Sequence, residues 1–386
     1  MEKLKNIPSL RFPEYKGDWE VRKLKEVADI GRGKSKHRPR DAEFLYGGNY
    51  PFIQTGDIRK AGLYLTEYSQ TYSEEGLKQS KLWFEDTLCI TIAANIAETS
   101  ILKIKACFPD SIIGLMPSEN KTTVLFVKHL FDKFKIQIQS LSQGAAQDNL
   151  NQEKLSNIEF VFPELIEQTK IASFLTAVDD KLLALKQKKT LLEQYKKGVM
   201  QKIFSQELRF KDDNGNDYPN WEEKKLNEVA NKKSSNISAN KIEDNFGDYI
   251  IYGASGILKK VDFYKEEDDY ISIVKDGAGV GRLLYCKGQS SVLGTMEIIR
   301  PNEQIDTYYL YCLLSNIDFV KYVTGSTIPH IYFKDYSSEI CGLPCLEEQN
   351  KIANFLSAID DKINHCQSQM EKTEVWKKGL LQQMFC

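Results

Sequence analysis

Two stretches of the chain, residues 163–204 and 344–385, carry the hydrophobic pattern of a long helix. In the first stretch, apolar residues recur every seven positions, at Ile171, Val178, Leu185, Leu192 and Val199. In the second, the matching positions are Ile352, Ile359, Cys366, Thr373 and Leu380. Flanking aromatic residues, Phe174 and Phe355, widen each stripe, which is typical of a helix that packs on another helix. Because Cys366 and Thr373 are less apolar, we expect weaker packing there.

The two stretches are also copies of each other. They align without a gap, and 19 of the 42 aligned positions are identical. The segments that open the two halves are alike as well, since residues 19–28 match residues 221–230. The chain is therefore predicted to consist of two homologous halves, each a module followed by a long helix. Antiparallel pairing of the helices would place the modules at opposite ends, related by a pseudo-two-fold axis.

Between the repeated ends, the pattern changes to short apolar runs. Residues 50–53, 88–92, 249–252 and 270–274 are rich in Ile, Val, Tyr and Phe and are separated by turn-forming residues, which indicates strands. We expect an α+β fold in which two tandem mixed α/β domains are separated by two long helices that form an antiparallel coiled coil. The predicted boundaries are 1–162 for the first domain, 163–206 for the first helix, 207–343 for the second domain and 344–386 for the second helix.

Composition narrows the class of protein. The 386 residues contain 41% hydrophobic and 27% charged residues, as in globular proteins, and no apolar run is long enough for a membrane span. The chain opens without the apolar core of a signal peptide, so we expect a cytoplasmic protein without a membrane partner. Eight cysteines without a CxxC pair and four scattered histidines predict neither a metal site nor a cofactor.

One element in the repeated stretches resembles a known family. The pattern EQxKIAxFL occurs at residues 167–175 and again at 348–356, and each copy is followed by Asp-Asp-Lys, at 179–181 and 360–362. Together with the opening segment at residues 8–13, these residues resemble the specificity subunit of type I restriction-modification systems, over essentially the whole chain.

The resemblance implies a non-catalytic subunit of a methyltransferase and endonuclease complex that directs DNA methylation. Its two target recognition domains would each read one half of a bipartite sequence in double-stranded DNA. Its helices would dock two adenine methyltransferase (modification) subunits, which restriction and translocase subunits then join. The residues expected at these helix contacts are Ile171, Phe174, Val178, Leu185, Leu192, Val199, Ile352, Phe355, Ile359 and Leu380.

Basic and polar loops are the candidate DNA contacts, because phosphates attract Lys and Arg while base edges are read by hydrogen-bonding side chains. The densest basic segment spans residues 31–40. The candidate DNA-binding residues are Arg32, Lys34, Lys36, Arg38, Arg40, Arg59, Lys60, Lys232, Lys233, Lys259 and Lys260. Candidate base readers in two loops at equivalent positions of the repeat are Gln143, Gln147 and Asn149 in the first half, with Thr327 and His330 in the second.

Two other classes of function stay open. Asp110, Glu119 and Lys121 resemble the acid, acid and lysine set of a stand-alone metal-dependent nuclease, and long helices also suit a coiled-coil scaffold without a DNA role. Residues 28–35 fit a relaxed phosphate-binding loop only loosely, because no buried strand is predicted before them. Residues 276–281 form a glycine cluster that lacks the full dinucleotide fingerprint. The chain contains no Pro-Pro pair, and hence no adenine methyltransferase motif of the NPPY kind, so we expect no catalytic residues.

Overall fold

The computed structural model describes residues 6–93, 95–141 and 150–386. Internal contacts divide the chain into two compact units. Unit 1 consists of Met1–Lys186 together with Ser368–Cys386, and unit 2 consists of Gln187–Gln367. Each unit thus combines one body with a part of both repeated helical stretches. The predicted division into four domains and helices stays a prediction.

The described part of the first half of the chain contains eleven strands and six helices. The strands are β1 (Glu20–Lys23), β2 (Ala28–Arg32), β3 (Tyr46–Phe52), β4 (Tyr64–Leu65), β5 (Gln70–Tyr72), β6 (Leu82–Trp83), β7 (Leu88–Thr91), β8 (Thr99–Leu102), β9 (Ala106–Cys107), β10 (Ile112–Pro117) and β11 (Glu159–Phe162). The helices are α1 (Leu24–Val27), α2 (Thr55–Ala61), α3 (Glu74–Lys78), α4 (Val124–Ser140), α5 (Gln152–Asn157) and α6 (Leu165–Phe204). A short 3-10 helix spans Glu43–Leu45.

The second half, all of it described, contains nine strands and four helices. The strands are β12 (Glu222–Lys225), β13 (Ala230–Ser234), β14 (Tyr249–Gly253), β15 (Gly256–Val261), β16 (Tyr270–Val274), β17 (Leu283–Cys286), β18 (Ser290–Val292), β19 (Met296–Pro301) and β20 (Ile340–Leu343). The helices are α7 (Leu226–Val229), α8 (Thr307–Ser315), α9 (Phe333–Tyr336) and α10 (Leu346–Met384), and 3-10 helices span Ala239–Ile242 and Phe319–Tyr322.

The body of each unit is built on a sheet with a buried central strand. In the described part of unit 1, five strands pair in the order β2-β10-β7-β8-β4, and a second sheet has the order β5-β3-β9-β6. In unit 2 the corresponding sheets have the orders β13-β19-β16-β17 and β15-β14-β18. All four residues of β7 and all five of β16 are buried, because both faces of these central strands are covered. This burial on both faces explains why the sequences of β7 and β16 are nearly continuous runs of apolar residues.

The repeated ends of each half contact each other. β1 pairs antiparallel with β11, and β12 pairs in the same way with β20, so the opening segment of each body is fixed beside the strand that leads into the long helix. The Arg11 guanidinium makes two hydrogen bonds of 2.7 and 2.8 Å to the buried Glu167. Arg209 makes the same paired contact with Glu348, whose side chain is 0% exposed. The repeated residues therefore form the junction between body and helix.

The long helices contribute to the core of both units. In unit 1, Ile171 and Val178 of α6 share a core cluster with Leu380 and Met384 of α10. In unit 2, Ile203 of α6 shares a core cluster with residues of α10 and of the second body. The early part of α6 thus contacts the late part of α10, and the late part of α6 contacts the early part of α10, which is the order of an antiparallel pair. The predicted fold class is confirmed.

Residues Cys366 and Thr373, where we expected weaker packing, are 1% and 5% exposed, so both positions on α10 are covered. Among the described helices, none combines the length and the apolar composition that crossing a membrane requires.

Candidate nucleic-acid interface

The basic segment of unit 1, residues 31–40, begins at the end of β2. Hydrogen bonds of its main chain fix its position. The amide of Gly33 donates to the carbonyl of Ile112 at 2.9 Å, and that of Lys34 donates to Phe108 at 3.0 Å. A Cβ atom at position 33 would lie 2.2 Å from the carbonyl oxygen of Pro109, so this close approach requires glycine. Further along, the side-chain oxygen of Gln79 accepts from the amides of Lys36 and His37. The segment is therefore an ordered platform for its charged side chains.

Five positive side chains of this segment are exposed, at positions 32, 34, 36, 38 and 40. Three of them have partners within the chain: Arg32 donates to the carbonyl of Asp110, Arg40 pairs with the Asp110 carboxylate at 2.9 Å, and Arg38 donates to the carbonyls of Ser35 and His37. Among the described residues, no carboxylate forms an ion pair with Lys34 or Lys36. These two ammonium groups are the ones that the segment offers to an external anion.

Arg59 and Lys60 are exposed at the end of α2. Arg59 lines a cavity of about 250 Å³ between α2, α4 and the long helices of unit 1. The same cavity is lined by Lys128, Asp132, Asp179 and Lys377. Its charges are mixed, and Lys377 pairs with Asp179 at 2.6 Å and with Asp132 at 3.6 Å. The whole lining holds four cations and three carboxylates, so it is close to neutral and does not present a strongly cationic surface.

Beside this cavity, His129 is fully buried on α4. Burial, assisted by the nearby Lys377 and Lys128 and opposed by Asp132, lowers the pKa of His129 to about 3. Its Nδ1 lies 3.9 Å from Asp179 and 4.0 Å from Asp132, without a hydrogen-bond partner in the described structure. The imidazole is therefore neutral at physiological pH.

In unit 2, four candidate lysines lie on or beside the sheets. Lys233 pairs with the buried Glu266 at 2.6 Å, and Lys232 lies 3.4 Å from the buried Glu297. The Nζ of Lys259 donates to the carbonyls of Ile242 and Glu243 and lies over the ring of Phe246. Lys260 is exposed on β15. Three of these four lysine side chains thus already interact with partners within the chain.

The candidate base readers of unit 2 lie in a loop between the last 3-10 helix and α9. Thr327 is exposed, and His330 is half-buried. The His330 amide donates to the carbonyl of Thr324 at 2.8 Å, and its Nδ1 lies 3.2 Å from the carbonyl oxygen of Ile328. The ring of His330 lies against Tyr332. Gln143, Gln147 and Asn149, the candidates of unit 1, lie outside the described residues.

The ten predicted helix contacts face inward to different degrees. Ile171, Val178, Ile352, Ile359 and Leu380 are buried. Phe174, Leu185, Leu192, Val199 and Phe355 are partly buried. The buried positions pack within the units themselves, so an external subunit that docks on the helices has to contact the remaining surface.

The proposed nuclease set does not come together. Asp110 precedes β10, whereas Glu119 and Lys121 follow it. Six residues at about 3.3 Å each place the two ends of β10 roughly 20 Å apart. Lys121 donates to the carbonyl of Glu26 at 2.8 Å, and Asp110 pairs with Arg40. Among the described residues, no group of three or more His, Cys, Asp or Glu side chains could hold a metal ion.

The other two weak motifs also have structural explanations. Residues 28–32 form β2, which lies at the edge of its sheet, and no helix follows directly, so the phosphate-loop arrangement is absent from this described segment. Gly277, Gly279 and Gly281 have φ values of +86°, +92° and +84° in a tight loop after β16. Arg282, which the sequence analysis did not single out, ends this loop and is exposed.

Comparisons with known proteins agree with this architecture. Residues 16–194 and 218–372 match the family model described as the type I restriction modification DNA specificity domain. The chain is 25% identical over 422 residues to the type I restriction enzyme MjaVIII specificity subunit of Methanocaldococcus jannaschii, covering 98% of this chain and 94% of that protein.

Two solved structures are similar in fold. The S subunit of a type I restriction-modification system from M. genitalium superposes with a TM-score of 0.68 at 18% identity, covering 98% of this chain and 99% of that one. A chain from a study of complex assembly and conformational transition in a type I restriction-modification system gives a TM-score of 0.51 at 14% identity, covering 94% and 96%. The two matching segments cover most of the sequence, and the resemblance seen in the EQxKIAxFL repeats is thereby confirmed: the chain belongs to the type I restriction modification DNA specificity domain family.

Proposed function

We propose that this chain is the DNA-specificity subunit of a type I restriction-modification complex. Residues 1–162 and 207–343 are its two target recognition domains, and each reads one half of a bipartite sequence in double-stranded DNA. The chain itself catalyses neither methylation nor cleavage. It directs adenine methylation by the methyltransferase subunits that it binds.

One observation carries this proposal. The junctions between body and helix are built twice from the same residues, as in the pairs Arg11–Glu167 and Arg209–Glu348, whereas the loops and basic segments of the two bodies differ. A constant frame with different loops suits two modules that perform one task on two different sequences.

The helices at 163–206 and 344–386 serve as the spacer and as the docking surface in this proposal. Because the docking surface is repeated, it offers two equivalent positions, one for each of two methyltransferase subunits. Restriction and translocase subunits would join that complex. DNA recognition itself rests on phosphate contacts from ordered basic segments, which set the orientation, and on base contacts from loops, which specify sequence.

The test is methylome sequencing of a host that expresses this chain together with the methyltransferase subunit of its own system. We expect one new adenine-methylated motif made of two short specific parts separated by a fixed gap. Hosts that express either subunit by itself serve as controls and should show no such motif. Failure to find a bipartite motif with both subunits present, at normal expression, would contradict the proposal.

A further inference from the structure

Three loops of unit 2 are joined by hydrogen bonds, two of them main chain to main chain and one from the Arg282 side chain. The glycine loop at residues 275–282 is hydrogen-bonded to the loop at 324–330. The amide of Gly277 donates to the carbonyl of Pro329, and the amide of Ile331, directly after the second loop, donates to the carbonyl of Lys275, both at 2.9 Å. The turn between β14 and β15 joins from the other side through Arg282, which donates to the carbonyl of Ala254. We call these three segments the loop cluster of unit 2.

The Arg282 side chain is fixed within this cluster. Its Nη1 donates to the carbonyl of Ala254 at 2.9 Å, which holds one edge of the guanidinium. A Cβ atom on Gly279 would lie 3.4 Å from the Cζ of Arg282, so the guanidinium lies close to Gly279. The main chain of Gly279 has a φ of +92°, a conformation that favours glycine.

Arg282 differs from the other two arginines of unit 2. Arg209 pairs with Glu348 at 2.7 Å, and Arg300 pairs with Glu266 at 2.5 Å. Both of those carboxylates are buried, so these two arginines balance charges inside the fold. Arg282 is exposed and forms no ion pair with the described residues. A guanidinium that is positioned by the fold and left without a carboxylate is ready to bind an external acceptor.

We propose that Arg282 determines specificity in the half-site read by unit 2, by donating to O6 and N7 of a guanine in the major groove. The planar fork of arginine matches these two acceptors, and this is the commonest specific contact between proteins and DNA. The tether to Ala254 limits the side-chain freedom that is lost on binding, so the contact is pre-organised. The proposal rests on the proposed function and goes further by naming one residue and one base.

The experiment compares the methylated motifs directed by the wild-type chain and by Arg282→Ala and Arg282→Lys, each in the complete complex. We expect one guanine in one half-site to become degenerate in Arg282→Ala, while the other half-site stays unchanged. Discrimination at that base pair, measured as DNA binding by the purified complex, should fall about 10- to 100-fold. Arg282→Lys should retain the charge but lose most of the discrimination, because lysine lacks the two-pronged geometry.

The control is Lys224→Ala, which removes one positive charge from β12 of the same unit and should leave the motif unchanged. Several results would overturn the proposal: a half-site for unit 2 without a guanine, an unchanged motif in both arginine variants, or a uniform loss of binding that Arg282→Lys restores, which would indicate a phosphate contact. Lack of any bipartite motif with the wild-type chain would instead contradict the proposed function and, with it, this proposal. Assembly of each variant with the methyltransferase subunit separates loss of recognition from loss of folding.

Discussion

At the scale of single residues, the chain contains two kinds of positive charge. Lys233, Arg300 and Arg209 are paired with buried carboxylates, and each provides a partner for a carboxylate inside the fold. Lys34 and Lys36 are exposed on an ordered segment and form no ion pair with described residues. Only the second kind is available to neutralise phosphates, so the net charge of −2 does not describe the surface that DNA would meet.

We therefore expect Lys34→Gln combined with Lys36→Gln to weaken DNA binding by the assembled complex in a way that does not depend on sequence. Each lost phosphate contact reduces the slope of log K against log salt by about 0.9. Two contacts should thus reduce it by about 1.8, as measured by a salt titration of binding to target and non-target DNA. The matched control, Lys16→Gln with Lys25→Gln, removes two exposed charges elsewhere and should leave the slope unchanged. An unaltered slope in the Lys34 and Lys36 variant would show that this segment does not face DNA.

His129 makes the stability of unit 1 dependent on pH. Its pKa is lowered by burial to about 3 from an unfolded value of about 6.5, so the unfolded chain binds one more proton between these values. The contribution of His129 to the free energy of unfolding should therefore be constant above about pH 7 and fall by up to about 1.4 kcal/mol per pH unit below about 6.5. Denaturant unfolding between pH 7 and pH 5 measures this slope.

His129→Gln is the matched variant for this measurement. Its amide can still reach Thr176, which lies 3.3 Å from Nε2 of His129, but it does not titrate. We expect its slope between pH 7 and pH 5 to be flatter than that of the wild-type chain. Equal slopes would mean that another group causes the acid sensitivity.

At the scale of elements, the long helices carry one ion pair in two copies. Asp179 pairs with Lys377 in unit 1, and Lys196 pairs with Asp360 in unit 2, both at 2.6 Å. The positions are related by the repeat offset of 181 residues, so in each pair an aspartate of one copy meets a lysine of the other. The same two residue types thus stabilise the helix contact within each unit.

Removing one partner should destabilise the helix contact, because a partly buried aspartate would lose its counter-charge. We expect Lys377→Met, which keeps much of the apolar stem, to cost about 1–3 kcal/mol. This value lies between the cost for exposed and for fully buried pairs. Lys196→Met should cost less, because Asp360 is more exposed than Asp179 and also accepts a hydrogen bond from Tyr308.

Lys351→Met is the control for these two variants, since its partner Asp213 is almost fully exposed and solvent-exposed ion pairs contribute little to stability. Thermal unfolding midpoints of the three variants provide the comparison. A larger loss in the control than in Lys377→Met would contradict the importance assigned to the repeated pair.

The elements also show which parts of the fold could be predicted from the sequence. The helices begin at Leu165 and Leu346, within the stretches that the seven-residue pattern marked, because helix periodicity is a local property. The pairing of β3 with β9 brings Phe52 beside Cys107, and no local pattern encodes such a contact. For the same reason, Lys233 and Lys36 were equivalent candidates for DNA contact in the sequence, and nothing in the local pattern distinguished Arg282. Whether a cation is paired depends on residues far along the chain, such as Glu266.

At the scale of the whole molecule, the proposed function assigns different tasks to parts that repeat and parts that differ. The repeated junctions and helices would set the spacing between the two half-sites, while the non-repeated loops would set their sequences. Spacing and sequence should then be separable by mutation. No change confined to the helices should alter the bases that are read.

A seven-residue insertion in both helices tests this separation. Placed after Lys186 and after Gln367, one heptad preserves the apolar repeat and lengthens each helix by about 10.5 Å. That length corresponds to about three base pairs at 3.4 Å each, so we expect methylome sequencing to show a gap about three base pairs longer between unchanged half-sites. A two-residue insertion at the same places is the control, because it rotates the apolar stripe by about 200° and should impair assembly. A changed half-site with an unchanged gap would contradict the assignment of spacing to the helices and of sequence to the loops.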